Sequence, residues 1–440
     1  MNMTMNNSQL NNRGFSLIEL MIAMVIGLII LLGLVSLFTS SSNLNRAQTG
    51  LSLLQENGRY AMMRIKQDIQ NAGRKHCATV ALPTTFTTDW DQGYEMSSWL
   101  VDRNVTLPHN LPAVGDVLLD DDDDDQLSDG NAGSLLAANV PYPLDPSWFI
   151  RGHECGAGSC TPTIGDVGGD TATVVRSMGT TDGNRVPSTD VLTVRYLTGG
   201  TRVQSVAGNT LTTMNNIPAG STGDAIVADC NTTMVTTATW GSNSVTVGQV
   251  PFLALDSDTR VFSMNRDFKT VTYFVGVDTD PGNPNRRVSS LYRAENGVAQ
   301  QLVEGVERLD VFYLAQLQTG HVARLTADQV QGVSGGGDTN NDGAIDTIQG
   351  CIIQPAAPTL NSLNLANEPG CLWRSIYAIE VHMLMNTVAN SSTLDNEVFI
   401  YSPDGLTPQD PSTGLTTGMP AERMHRKEFS AIVPVRSYTL

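Results

Sequence analysis

The chain is short of positive charge. Of 440 residues, 26 are Lys or Arg and 44 are Asp or Glu, so the formal net charge is −18. Taking up nucleic-acid phosphate needs clustered cations, and this balance argues against such a partner. Aromatic residues make up only 6%. The sequence has no CxxC pair, no HExxH and no Walker loop, which removes the commonest zinc, metalloprotease and nucleotide-binding signatures. The six histidines, His76, His109, His153, His321, His382 and His425, show no metal-ligand spacing. A formal G-x-S-x-G occurs at Gly332–Gly336, but in a glycine-rich loop rather than between a strand and a helix, so it is no nucleophile elbow. No catalytic constellation is found, and the chain is expected not to be an enzyme. Proline is absent before Pro83 although twenty occur in all, so the N-terminal stretch is free of the strongest helix breaker. The apolar share, 40%, excludes a wholly disordered chain, and the length suffices for a large core in one domain or two.

What is present begins at the N-terminus. Residues 1–14, MNMTMNNSQLNNRG, are polar and end in Arg13-Gly14. From Phe15 to Phe38 the chain is apolar apart from Ser16, Glu19 and Ser36. As a helix this run is about 36 Å long, enough to cross a bilayer core of about 30 Å. The orientation signal is thin, one Arg before the span and Arg46 after it. A cleaved secretory signal is the plain alternative, with Ser36–Ser42 offering small residues for cleavage. Against it, the run is long and the helical pattern continues past it. Glu19 is the anomaly, because a carboxylate inside a membrane helix costs roughly 2.5–3.5 kcal/mol on lenient insertion scales. One reading places it at the headgroup level; the functional reading pairs it with a cation inside an assembly.

Arg13-Gly14-Phe15-Ser16-Leu17-Ile18-Glu19 resembles the class III signal of type IV prepilins. The resemblance implies cleavage after Gly14 by a membrane-embedded prepilin peptidase and methylation of the new amine on Phe15. It also implies pairing of Glu19 with the N-terminal amine of a neighbouring subunit. The physics agrees, since ammonium and carboxylate are each costly in hydrocarbon and offset one another when paired.

Beyond the span, apolar or small residues recur at Leu44, Ala47, Leu51, Leu54, Gly58, Ala61, Ile65, Ile69 and Ala72, in steps of three or four. That is the stripe of an amphipathic helix, and Gly73 followed by Arg74 and Lys75 suits its C-terminus. The text of this stalk, LQENGRYAMMRIKQDIQNAG at Leu54–Gly73, is similar to that of PilW-like minor pilins. So are DVLTVRYL, GDAIVADC ending at Cys230, SSLYRAENG at Ser289–Gly297, QQLVEGVERLDVFYLA at Gln300–Ala315 and the tail from Arg426 to Leu440. The stretch 80–185 matches least and reads as an insertion. Major pilins usually carry a proline within the membrane helix, and this chain has none there.

After Cys77 short β-rich runs alternate with Gly, Pro, Asn and Asp. Strands are expected at Val191–Leu197, Val261–Met264, Val271–Val277, Leu309–Leu314, Ile376–Leu384, Val398–Tyr401 and Phe429–Val435. The fold expected is α+β, a pilin-like lollipop: a long N-terminal helix packed on an antiparallel β-sheet, with loop-rich insertions. The chain divides into a leader at 1–14, a transmembrane half-helix at 15–38, an amphipathic stalk at 39–75 and a β-rich head at 76–440. The run Asp120–Asp125 reads as a solvated loop, with cation collection as the lesser alternative.

DTNNDGAID, Asp338–Asp346, has calcium-loop spacing. Asp338, Asn340, Asp342 and Asp346 offer side-chain oxygens, Ala344 a carbonyl, and Gly343 the tight turn. Position twelve is Gln349 rather than a bidentate glutamate, so a plain acidic turn stands beside calcium as an even alternative. The six cysteines suggest pairs Cys155–Cys160, Cys351–Cys371 and Cys77–Cys230, one connectivity among several.

The resemblance implies a minor pilin of a type IV pilus, part of the tip complex that primes assembly. Its partners would be other minor and major pilins, a tip-associated adhesin, the prepilin peptidase and the inner membrane. The head would be periplasmic before assembly and at the cell surface afterwards. Two alternatives stay open: a minor pseudopilin of a type II secretion system, and a membrane-anchored periplasmic binding protein. The last leaves Glu19 and the leader glycine unexplained.

Overall fold

A computed structural model describes residues 16–73, 98–100, 142–143, 149–164, 174–228, 233–248, 259–280, 282–317, 321–331, 372–373, 376–388, 401–404 and 424–435. Its spine is α1, Leu17–Asn71, an unbroken helix of 55 residues and about 80 Å. The helix stops where the Ala72 amide donates back to Ile69 O and Gly73 adopts φ +67°, a conformation glycine takes without strain. The Gly73 amide then donates to Arg195 O at 2.8 Å, tying the helix end to the sheet.

The strands in chain order are β1 (Ser98–Leu100), β2 (Tyr142–Pro143), β3 (Ile150–Cys155), β4 (Cys160–Thr161), β5 (Val191–Leu197), β6 (Thr201–Ala207), β7 (Thr210–Thr213), β8 (Ala225–Ala228), β9 (Thr233–Thr236) and β10 (Ala238–Trp240). They continue as β11 (Ser244–Val247), β12 (Arg260–Ser263), β13 (Phe268–Asp280), β14 (Asn283–Glu295), β15 (Val298–Glu304), β16 (Val306–Gln316), β17 (Val322–Leu325), β18 (Ile376–Asn386) and β19 (Arg426–Pro434). Two single-turn helices, α2 (Met264–Asp267) and α3 (Ala327–Gln331), complete the described elements. The result is a long helix on antiparallel sheets, an α+β pilin-like arrangement. Of the expected strands, Val191–Leu197 is β5 end to end, and those begun at Val271, Leu309, Ile376 and Phe429 lie within or overlap β13, β16, β18 and β19.

Two sheets form the head around the stalk. One runs β15-β14-β13-β5-β3-β4, the other β17-β16-β18-β19. The stalk half of α1 buries Leu54, Ala61, Ile65 and Ile69 against them, in one core with Val194, Val271, Tyr273, Val275, Val311, Met383 and Val433. Each of the buried Leu, Ile, Val and Met side chains contributes roughly 1.5–3 kcal/mol relative to exposure, and Ala61 less. Strand alternation selects these positions: on β13, Val271, Tyr273 and Val275 face the core while Phe274 joins a separate cluster with Tyr292 and Cys155. The chain passes from the first sheet to the second at Gly305. There φ is +85° and a Cβ would lie 2.6 Å from Asn386 O, so only glycine makes the crossing.

In the third sheet, β10-β11-β7-β6-β12-β8-β9-β1-β2, strands β6–β12 are inserted between β5 and β13, which are themselves hydrogen-bonded neighbours, while β1 and β2 come from earlier in the chain and join at β9. Only Thr237 separates β9 from β10. One stretch of chain therefore pairs with β8 through its first half and with β11 through its second, and the sheet curls round its own core of Val203, Leu211, Val227, Met234, Val245 and Val261. This module leaves the head beside Thr198, whose amide donates to Asp267 O, at the end of β5 near the C-terminus of α1. β3, within the stretch set apart as an insertion, lies between β5 and β4 in the first sheet.

Candidate functional site

The first half of α1 is apolar on every side, and its large side chains from Leu17 to Phe38 are all exposed. This helix is long and apolar enough to cross a membrane, and nothing else among the described residues covers it. A bare apolar cylinder of this size requires lipid or other helices around it. At its head the Ser16 amide donates to Glu19 Oε2 at 3.0 Å. The carboxylate thus takes up one of the amide donors left unpaired at a helix start, where negative charge also meets the positive end of the helix dipole. It retains further acceptor capacity for a cation. Gly14 and Phe15 lie outside the described residues.

The other end of the helix holds a charge that the sequence pattern did not single out. Asp68 falls between Ile65 and Ile69 on the buried stripe and is itself buried. Arg293 of β14 grips it through Nε to Oδ2 at 2.7 Å and Nη2 to Oδ1 at 3.3 Å. Tyr196 of β5 donates to Oδ1 at 2.9 Å and Tyr273 of β13 to Oδ2 at 2.5 Å. Arg293 also reaches Glu295 at 2.7 Å, and Lys269 reaches the same carboxylate at 3.3 Å. Burial and then the Asp68 charge push both tyrosine hydroxyls well up, so they stay donors. Burial works against the Arg293 charge, but its bonds to Asp68 and Glu295 outweigh it and raise its pKa. The only sequence signal was an acid inside an apolar stripe.

A second polar cluster joins the two sheets of the head. Asp190 accepts from the Cys155 amide at 3.1 Å and from the Val311 amide at 2.9 Å, one from each sheet. Asp310 is held by Arg308 at 2.6 Å and by the Tyr401 hydroxyl at 2.6 Å. Glu154 sits beside them. Burial, followed by the charges of Asp328 and Asp310, raises its pKa to about 7. Burial and then the Glu154 charge also hold the Asp190 carboxyl well above its usual range. Cys155 and Cys160 are disulfide-bonded across the β3–β4 hairpin, and Arg185 Nη2 lies 3.2 Å from the Cys160 sulfur. His153 donates through Nδ1 to Pro162 O at 2.8 Å, and burial with the nearby Arg151 lowers its pKa to about 3.

A third arrangement lies on the face of the four-stranded sheet away from the stalk. His382 of β18 has Glu428 of β19 at 2.6 Å from Nδ1 and Glu380 at 2.8 Å from Nε2. Arg324 of β17 binds the other Glu380 oxygen at 2.7 Å and lies over the Phe312 ring. His382 has no partner legible in the sequence, because Glu428 is 46 residues away.

Among the described residues, no group of three or more His, Cys, Asp or Glu could hold a metal ion. The candidate calcium ligands Asp338, Asn340, Asp342, Ala344 and Asp346, the run Asp120–Asp125, and Cys77, Cys230, Cys351 and Cys371 all lie outside them.

Residues 9–35 match the family model of the prokaryotic N-terminal methylation motif. The match spans Gly14, Phe15 and Glu19 and ends within the apolar half of α1. No curated protein and no solved structure matches the chain. The chain therefore carries the signal of type IV pilins and pseudopilins at the start of a long apolar helix. That signal implies processing by prepilin peptidase and assembly with other pilins in a membrane system, and it is consistent with a membrane-anchored, pilin-like protein.

Proposed function

We propose that the chain is a minor pilin of a type IV pilus, of the PilW-like kind, acting in the tip complex that primes assembly. The observation that carries this is the motif matched over residues 9–35 joined to a helix, Leu17–Asn71, with a bare apolar half and a half locked to a β head. A membrane helix can be drawn out of the bilayer with its cargo only if the cargo is fastened to it, and Asp68 supplies that fastening. The inserted β module supports a leading position. It branches from the head at Thr198, three residues past the Arg195 carbonyl that receives the C-terminal end of the stalk, and adds bulk that a repeating subunit would have to pack around. Its part is structural rather than catalytic, with Glu19 as the assembly charge and Gly14-Phe15 as the processing junction. Other pilins, the peptidase and a tip-associated adhesin are its partners.

Mass spectrometry of the mature protein tests the reading, with methylated Phe15 as the expected N-terminus. A mature chain beginning beyond Ser36 overturns it. Deletion separates a pilin from a pseudopilin: loss of surface pili with secretion intact supports the proposal, and the reverse supports the type II secretion reading.

A further inference from the structure

We propose that Glu428, His382 and Glu380 form a proton-dependent clasp that holds the C-terminal strand β19 in the head, and through it sets how firmly the stalk helix is seated. The reasoning begins with proton count. An imidazole ring donates from both nitrogens only when it carries both protons. Here both nitrogens face carboxylate oxygens, at 2.6 and 2.8 Å. The arrangement is satisfied with one proton more than a neutral ring and two ionised glutamates supply.

The surrounding charges decide which contact depends on that proton. Glu380 has its second oxygen on Arg324 at 2.7 Å. Burial alone would raise its pKa, but the bonds from Arg324 and His382 outweigh burial and lower it. Glu380 therefore remains ionised and takes the Nε2 proton. The remaining proton lies between Nδ1 and Glu428, the only carboxylate of the three groups that β19 contributes. From β16, Asp310 pairs across from His382 in register, but it is engaged by Arg308 and Tyr401. The segment 401–404 adds Tyr401 and Asp404, and Pro403 O accepts from Arg324. On β19, Lys427 points to the opposite face with Phe429, and Arg426 is paired with Glu307. None of these replaces the missing donor at Nδ1. Loss of the proton sets a bare nitrogen lone pair against the Glu428 carboxylate and opens the β18–β19 link on this face.

The consequence reaches the stalk because strand neighbours point to opposite faces. Next to Glu428, Phe429 lies against the helix, where a Cβ on Gly58 would come within 2.3 Å of its ring. Loosening β19 from outside loosens the side chain that fills the notch in α1.

Hydrogen exchange of the full chain in detergent micelles tests this, using protection factors so that intrinsic pH effects cancel. Protection of residues 426–434, referenced to residues 268–280, is expected to fall about tenfold from pH 5 to pH 9, the size of losing one charge-assisted hydrogen bond. In Glu428→Gln the side-chain amide can donate to a bare Nδ1, so the pH dependence is expected to vanish. A wild-type ratio that does not change with pH overturns the proposal, as does an unchanged dependence in the variant. Should Glu428→Gln not fold, 15N-histidine spectra of the wild type decide. His382, assigned by its loss in His382→Asn, must show both nitrogens protonated at pH 5, and a singly protonated ring there overturns the clasp.

Discussion

Asp68 of the stalk helix and Arg293 of β14 form a buried two-point ion pair, 2.7 and 3.3 Å, between residues 225 apart in the chain. Two tyrosines complete the carboxylate's partners, so the pair fixes both the rotation and the height of the helix on the sheet. Removing one partner of such a pair leaves the other charge buried, which costs about 3–5 kcal/mol. Asp68→Ala is expected to destabilise the head by that amount and Asp68→Asn by less, because the amide oxygen still accepts. Denaturant unfolding followed by fluorescence of the buried Trp373 reads the difference. A loss under about 1 kcal/mol for Asp68→Ala, the range of an exposed ion pair, removes its anchoring role.

Gly58 faces the ring of Phe429 on the same interface. Gly58→Val crowds that ring and is expected to cost about 2 kcal/mol, in the range of overpacked cores. Shortening the ring side chain in Gly58→Val/Phe429→Leu should recover part of the fit, so the double-mutant cycle is expected to show favourable coupling. Additive effects would mean that the two residues do not meet.

Glu154 makes stability depend on pH in a direction the structure sets. Its pKa is raised from 4.5 to about 7 by burial and by Asp328 and Asp310, so folding favours the protonated form. The associated stability is complete below the unfolded value near 4.5 and is lost as pH rises through about 7. Glu154→Gln mimics the protonated acid. Its melting temperature should equal the wild type at pH 4 and exceed it increasingly from pH 4.5 to 7, with no further gain above. His153 acts oppositely: with a lowered value of about 3, its contribution is present above pH 6.5 and lost as pH falls toward 3. A difference between Glu154→Gln and wild type that is flat with pH contradicts the cluster.

Glu19→Val removes the charge from the apolar half of α1. Insertion is expected to proceed as well or better, since the membrane cost disappears, while entry into pili fails for want of the cation's partner. Fractionating membranes from sheared pili checks this, and normal incorporation would refute a pairing role.

The helix, its end at Gly73, most strands and the prepilin-type signal were legible in the sequence, because each rests on neighbours within a few residues. An apolar stripe at steps of three and four, or an alternating run such as Val191–Leu197, declares its geometry locally. The division of the head was not legible. Gly305 reads as one glycine among forty, and only the close approach of Asn386 explains it. Asp68 reads as a blemish in an apolar stripe until Arg293 arrives, and His382 as a lone histidine until β19 lays Glu428 beside it. The insertion of β6–β12 between β5 and β13 likewise depends on pairings such as Arg260 with Arg202, far apart in the chain. Local periodicity is written in one dimension. Charge partners, notches and crossings are decided only when distant segments share a core, because burial alone makes an unpaired charge or an extra methyl group costly.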